Sequence, residues 1–241
     1  MGHATSGGVY SSLRQRLDRH AIGMPESETA IRILKILYRP EDAELAIGLP
    51  LRFQSLSRLS RSLRIPEPEL ERRLDNMADR GLVFDVEREG KRYFMLAPTI
   101  VGLFEFSMMR VRTDIDQKEL ARLLHEYLEG DPTFGRQAFA GETQIGRALV
   151  HETALPAGDH AEVLDWERAT SVVHEAGAWA VGMCYCRHVR GHLGSACDGP
   201  VDVCMSLGMA AGFVARHGQA RAIGEREALD ILAMTRERGM V

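Results

Sequence analysis

The sequence predicts an α+β, mainly helical protein with a winged-helix-like N-terminal domain. Two observations carry this prediction. Apolar residues recur at helical spacing over most of the chain. Between residues 82 and 96 that spacing gives way to two short apolar runs joined by a charged tip, the pattern of a β-hairpin. Helix, helix, turn, helix, hairpin is the element order of a winged helix.

Each element has local signals. The Gly-, Ser- and His-containing start reads as a flexible tail and lead-in over residues 1–24. After Pro25, Ser27, Glu28 and Thr29 offer a helix cap, and Ile31, Leu34, Ile36, Leu37 and Tyr38 supply its apolar positions until Pro40. A short helix is expected over Asp42 to Ile47, and another over Ser55 to Leu63, where Leu56, Leu59 and Leu63 lie at helical spacing. Ile65-Pro66-Glu67-Pro68 turns the chain into a helix that buries Leu70, Leu74 and Met77 and stops at Gly81. The hairpin follows, with Glu-Gly-Lys at its tip. Thr99 to Arg110 is expected to be a helix with a core-forming stripe, and Asp116 to Leu128 an amphipathic helix closed by Gly130-Asp131-Pro132. Residues 25–130 thus form the winged-helix-like domain with its following helices.

The second half, residues 131–241, is less regular. Ala148-Leu149-Val150 reads as a strand, Trp166 to Ala176 as a helix and Trp179 to Met183 as an extended segment. Val203 to Arg216 is expected to be helical, placing Cys204 in a first turn. Glu225 to Arg238 is a final amphipathic helix.

Composition excludes several function classes. A formal net charge of -4 argues against a generally basic nucleic-acid binder. No run of about 18 uncharged apolar residues is present, so no membrane span is expected. The N-terminus lacks the apolar core of a secretory signal, so a cytoplasmic protein is expected. There is no P-loop, no dinucleotide fingerprint, no nucleophile elbow and no zinc-protease helix motif.

All four cysteines, Cys184, Cys186, Cys197 and Cys204, lie in one short stretch of a long chain. A disulfide framework would spread them out, and the cytosol keeps thiols reduced. Clustering therefore points to a metal. The pattern is C-x-C, ten residues, C, six residues, C. Four thiolates can supply the outer ligands of a 4Fe-4S cube, one per iron. Zinc is the competitor, but structural zinc usually takes pairs two to four residues apart, and neither pair here fits. Gly191, Gly194 and Gly199 let the loop wrap closely, and Arg187 and Arg190 are candidates to offset the negative charge of the site. His188 and His192 lie within the stretch as possible ligands, but four cysteines already complete the set. These residues make 131–241 the expected iron–sulfur cluster-binding domain.

The run Cys184-Tyr185-Cys186-Arg187-His188, Cys197-Asp198-Gly199-Pro200, Cys204 and Gly208 resembles the cluster motif of a family of bacterial and archaeal 4Fe-4S ferredoxin-type iron–sulfur proteins with a winged-helix-like N-terminal region. The resemblance extends back through Ile22-Gly23-Met24-Pro25, Leu56-Ser57-Arg58-Leu59-Ser60 and Met77 to Val83, and forward through Gln219 to Ile223 and the segment from Glu225. It implies an electron-transfer protein or oxidoreductase subunit that works through a single 4Fe-4S cluster with a protein redox partner, rather than a stand-alone enzyme. Many such relatives continue with further cysteines and a ferredoxin-like domain. This chain stops at Arg238-Gly239-Met240-Val241, so their multi-cluster arrangement is not carried over. An iron–sulfur-sensing transcription regulator and a zinc-stabilised interaction module are the alternatives.

For the regulator, Arg88, Lys91 and Arg92 at the hairpin tip could meet DNA phosphates. The candidate recognition helix, however, sets Glu67, Glu69, Glu71, Asp75 and Asp79 against Arg72, Arg73 and Arg80. Such a face repels a polyanion. A DNA selection experiment is therefore expected to return no enriched sequence, and a sharp consensus bound in the nanomolar range, on the order of specific sites, would favour the regulator.

Overall fold

The computed structural model describes residues 6–130, 132–139 and 166–240. The architecture is α+β, with helices enclosing two small antiparallel sheets. The chain begins with α1 (Ser6–Leu17), α2 (Glu28–Leu37) and α3 (Pro40–Ile47), followed by β1 (Gln54–Ser55), α4 (Leu56–Leu63) and α5 (Glu67–Asp79). The hairpin β2 (Val83–Arg88) and β3 (Lys91–Leu96) comes next, then α6 (Phe104–Met108), α7 (Gln117–His125) and α8 (Pro132–Phe139). The second half contains α9 (Trp166–Glu175), β4 (Trp179–Met183), α10 (Tyr185–His192), β5 (Asp202–Leu207), α11 (Gly208–Arg216), β6 (Ala220–Ile223) and α12 (Glu225–Glu237). Strand order is β1-β3-β2 in the first sheet and β5-β4-β6 in the second. Among the described residues no helix is long and apolar enough to cross a membrane.

Several elements follow the sequence reading closely. Ser27 caps α2 by accepting from the Ala30 N–H, and Asp116 caps α7 by accepting from the Glu119 N–H, each at 3.0 Å. Helix α5 buries Leu70, Leu74 and Met77 and ends before Gly81. Gly81 has φ +76°, and a Cβ there would lie 2.5 Å from the Cβ of Phe106, so only glycine fits.

Four expectations are corrected. Residues 6–17 form helix α1, not a tail. Val9, Tyr10, Leu13 and Leu17 recur at helical spacing and are buried in the main core, and the Tyr10 hydroxyl donates to the Tyr38 carbonyl at 3.0 Å. Helix α2 ends before Pro40 as expected, but the next helix begins at Pro40 itself and not at Asp42, because the ring's missing N–H costs nothing in a first turn. Thr99 to Arg110 is not one helix: Ile100, Val101 and Gly102 leave helical geometry and regular helix begins only at Phe104. Val203 and Cys204 lie on strand β5, and helix starts at Gly208, whose positive φ of 59° makes the corner. The Ala148-Leu149-Val150 expectation lies outside the described residues.

The main core draws on α1 to α7, the hairpin, and Phe134 of α8, and takes in Val189 of α10. Each fully buried Leu or Phe there contributes about 1.5–3 kcal/mol. A second cluster joins Ala78 of α5 and Phe106 of α6 to Ala180 of β4 and to Ala211, Phe213 and Val214 of α11. The rings of Phe84, Phe106 and Phe213 meet pairwise at 4.9–5.5 Å.

Polar contacts add to this joint. Asp85 of β2 is 1% exposed and accepts from Arg92 at 2.5 Å, Arg216 at 2.8 Å and His217 at 3.0 Å. Burial alone would raise its pKa. The hydrogen bonds from His217, Arg216 and Arg92 outweigh that and hold the carboxyl well below the usual carboxylate range. His217 also contacts Asp79 of α5 at 2.7 Å through its other ring nitrogen. With a carboxylate on each nitrogen, both nitrogens donate and the ring is held as imidazolium. Burial lowers its pKa, but the hydrogen bonds to Asp85 and Asp79 raise it above the ordinary value. Arg92 also pairs with Asp75 at 2.6 Å and Glu71 at 3.3 Å. The acidic face of α5 is thus partly neutralised from within, and Arg92 folds back toward β2 and α5.

The sign of the pH effect follows. A group with a raised folded pKa stabilises fully below its unfolded value, about 6.5 for histidine, and loses that contribution as pH rises through the folded value. His217→Gln is expected to destabilise by about 1.5–3 kcal/mol at mildly acidic pH. In urea unfolding series, the gap from the parent should narrow steadily on the alkaline side. A gap constant with pH would show that the ring is not charged in the folded state.

Candidate metal centre

The four cysteines come from one β-α-loop-β unit. Strand β4 runs from Trp179 to Met183 and delivers Cys184 to the N-cap of α10, where its φ and ψ are -64° and 110°. Cys186 lies in the first turn of α10. The chain leaves α10 through Gly194, at φ +71°, and passes Cys197 in the loop. It returns as β5, which pairs antiparallel with β4 and sets Cys204 opposite Gly182. The register shifts between Gly182 and Met183, with Met183 opposite Asp202, so Val203 is the extra residue of a bulge. The Cys184 N–H donates to the Val201 carbonyl at 2.6 Å and ties the loop's end to its start.

Gly182 makes this possible. A Cβ there would lie 2.9 Å from the Met109 methyl, 3.0 Å from the Gln219 carbonyl oxygen and 3.1 Å from the Ala220 Cβ. Two of these contacts are backbone or Cβ atoms that cannot swing away.

Arg187 links two of the sulfurs. Its Nε donates to Cys197 Sγ at 3.2 Å and its Nη1 to Cys184 Sγ at 3.4 Å. The guanidinium lies against Gly199, where a Cβ would come within 2.7 Å of Nε. Cys184 and Cys204 are half-buried, while Cys186 and Cys197 are exposed. The Cys184 pKa is lowered first by a hydrogen bond from the Cys186 thiol, then by the Arg187 backbone N–H and guanidinium. Cys186 is correspondingly pushed up by that same hydrogen bond and by burial. Cys197 is lowered by the Gly199 N–H and by Arg187. Cys204 is pushed up to about 11 by burial and by the charges of Cys184 and Glu105, while the Tyr185 N–H opposes the rise.

The donor set suits a metal–thiolate group of high negative charge. Backbone N–H groups of Arg187, Gly199 and Tyr185 are directed at three of the sulfurs, and a guanidinium bridges two. A single tetrahedral ion requires its sulfurs about 2.3 Å from one point. Among the described residues no three His, Cys, Asp or Glu side chains are grouped closely enough to hold one ion.

Arg190, the other candidate for offsetting charge, is engaged elsewhere. Its Nη2 donates to both carboxylate oxygens of Glu129, at 2.7 and 2.8 Å. His188 anchors α10: its Nδ1–H donates to the Met108 carbonyl at 2.7 Å, which leaves Nε2 to accept from His192 at 3.2 Å. Neither histidine is hydrogen-bonded to a cysteine. The sequence reading missed Glu105, whose charge acts on Cys186 and Cys204. No spacing rule marks it, since it comes from the distant α6.

Comparisons with protein-family models, curated proteins and solved structures give no match to this chain.

Gly182→Val is expected to part β4 from β6 and destabilise the protein by about 1–3 kcal/mol. Hydrogen exchange should rise across residues 179–183 and 220–223. Unchanged protection there would mean that the close approach at Gly182 does not hold the sheet.

Proposed function

We propose that this protein holds one 4Fe-4S cluster on Cys184, Cys186, Cys197 and Cys204 and transfers electrons through it to or from a protein redox partner. The single observation that carries this reading is the arrangement of four thiols on one β-α-loop-β unit, with backbone N–H groups and Arg187 turned toward their sulfurs. When bound, such a cluster supplies one-electron exchange. The chain's own residues do the rest. Thiolates bind the irons, N–H dipoles and Arg187 offset the added negative charge, and Cys186 and Cys197 lie on the exposed side where a partner can approach. Arg187, within reach of Cys184 and Cys197, would supply positive charge beside the bound group.

The resemblance to 4Fe-4S ferredoxin-type proteins belongs to the same reading. So does a winged-helix arrangement of α4, α5 and the β2–β3 hairpin, supported by their order and by β1 pairing with β3. Within this reading the winged helix is a packing module. Asp75, Asp79 and Glu71, on the partly exposed face of α5, are paired with Arg92 and His217.

Purified without oxygen, the protein should be brown and contain about four irons and four sulfides per chain. Cys197→Ser should weaken or abolish the intact cluster and raise hydrogen exchange from residue 184 to about Gly208, while residues 31–96 stay protected. Stoichiometric zinc without acid-labile sulfide would replace this reading with the zinc-stabilised module.

A further inference from the structure

Glu105 stands apart from the other acidic groups near the cysteines. It lies on α6, which packs against the helix carrying Cys186. The wide turn before α6 is built around it. Val101 adopts left-handed geometry at φ 48° and ψ 54°. A β-branched residue rarely does so, and the conformation costs about 1–3 kcal/mol. Gly102 follows in an extended conformation and packs close to Pro98. The outcome of this bend is that the Gly102 N–H donates to Glu105 Oε2 at 2.9 Å, with further backbone N–H bonds from Val101 and Glu105 itself.

The carboxylate has no cationic partner among the described residues. Burial raises its pKa, and the three backbone N–H groups act against that rise. Its charge reaches Tyr185, Cys186 and Cys204. A strained backbone that holds a partly buried carboxylate, without a cation among the described residues, on the helix packed against α10 and within electrostatic reach of Cys186 and Cys204 is the kind of outlier found at working sites.

We propose that Glu105 sets the charge around the cysteine centre and makes it harder to reduce. This rests on the reading of the cysteines as cluster ligands. Reduction by an external one-electron donor adds one negative charge to the centre and none elsewhere. A fixed carboxylate in a medium of low dielectric opposes that charge, whereas the Arg187 guanidinium at Cys184 and Cys197 favours it.

The test compares the anaerobic, cluster-loaded protein with Glu105→Gln in a dithionite titration at mildly alkaline pH. Glutamine keeps an acceptor for the Gly102 N–H and removes the charge. The midpoint potential is expected to rise by on the order of tenfold in the reduction equilibrium, or about 59 mV for a one-electron couple. Glu105→Asp should remain near the parent, as should Glu119→Gln on the exposed face of α7. Equal potentials for the parent and Glu105→Gln would overturn the inference and leave the cluster reading intact. Loss of the cluster in Glu105→Gln but not in Glu105→Asp would make Glu105 a ligand or a support and would overturn it too. A parent protein that holds no cluster removes both.

Discussion

The antiparallel pairing of β5 with β4 is the constraint on which the candidate centre depends. Cys184 and Cys186 are neighbours in sequence and need only a helix start to converge. Cys204 is brought to them by the β4–β5 register, which sets it opposite Gly182, while Gly182 lets the other side of β4 press against Met109, Gln219 and Ala220. The bulge at Val203 then re-aims the strand at the point where it meets the loop. Once those strands are in place, Cys197 has only a short loop to span, and Arg187 and Gly199 close the gap between its sulfur and that of Cys184. The loop carries few large apolar side chains, so its order comes from this frame and from whatever its thiols bind.

The same unit is fastened to the N-terminal half by two kinds of contact. Phe84, Phe106 and Phe213 form an apolar joint, and Asp85 a polar one, drawing Arg92, Arg216 and His217 onto a single carboxylate. Leaving Asp85 unpaired in that position would cost several kcal/mol, so the hairpin, α5 and α11 are held as one piece. Because α11 follows directly from β5, the strand carrying Cys204 is anchored at its far end to α5 and the hairpin. Val189 of α10 adds a third fastening, into the main core.

Much of the first half was legible from sequence because each element has a local cause. Ser27 and Asp116 cap helices, Gly81 stops one, and the period change at residue 82 marks the hairpin. The failures were of one kind, where tertiary contacts outrank local pattern. Helix α1 hides in a Gly- and Ser-rich start and is fixed by Tyr10 and Leu13 meeting the core. Val203 and Cys204 read as the front of a helix because Met205 to Phe213 is apolar and rich in alanine and glycine, yet pairing with β4 makes them strand. The cysteines announced themselves by clustering, and Arg187 by its place among them. Arg190 has the same local credentials but is drawn to Glu129, a choice made by the packing of α10 on the first half. Glu105 left no trace in the sequence, since its relevance comes only from the approach of α6 to α10.

The central claim concerns what the four sulfurs hold, and X-ray absorption at the iron edge of anaerobically purified protein tests it most directly. The account predicts iron surrounded by sulfur alone, with a short iron–iron vector that disappears in Cys204→Ser. A zinc signal with four sulfur neighbours and no bound iron, or iron surrounded by oxygen and nitrogen, would contradict it.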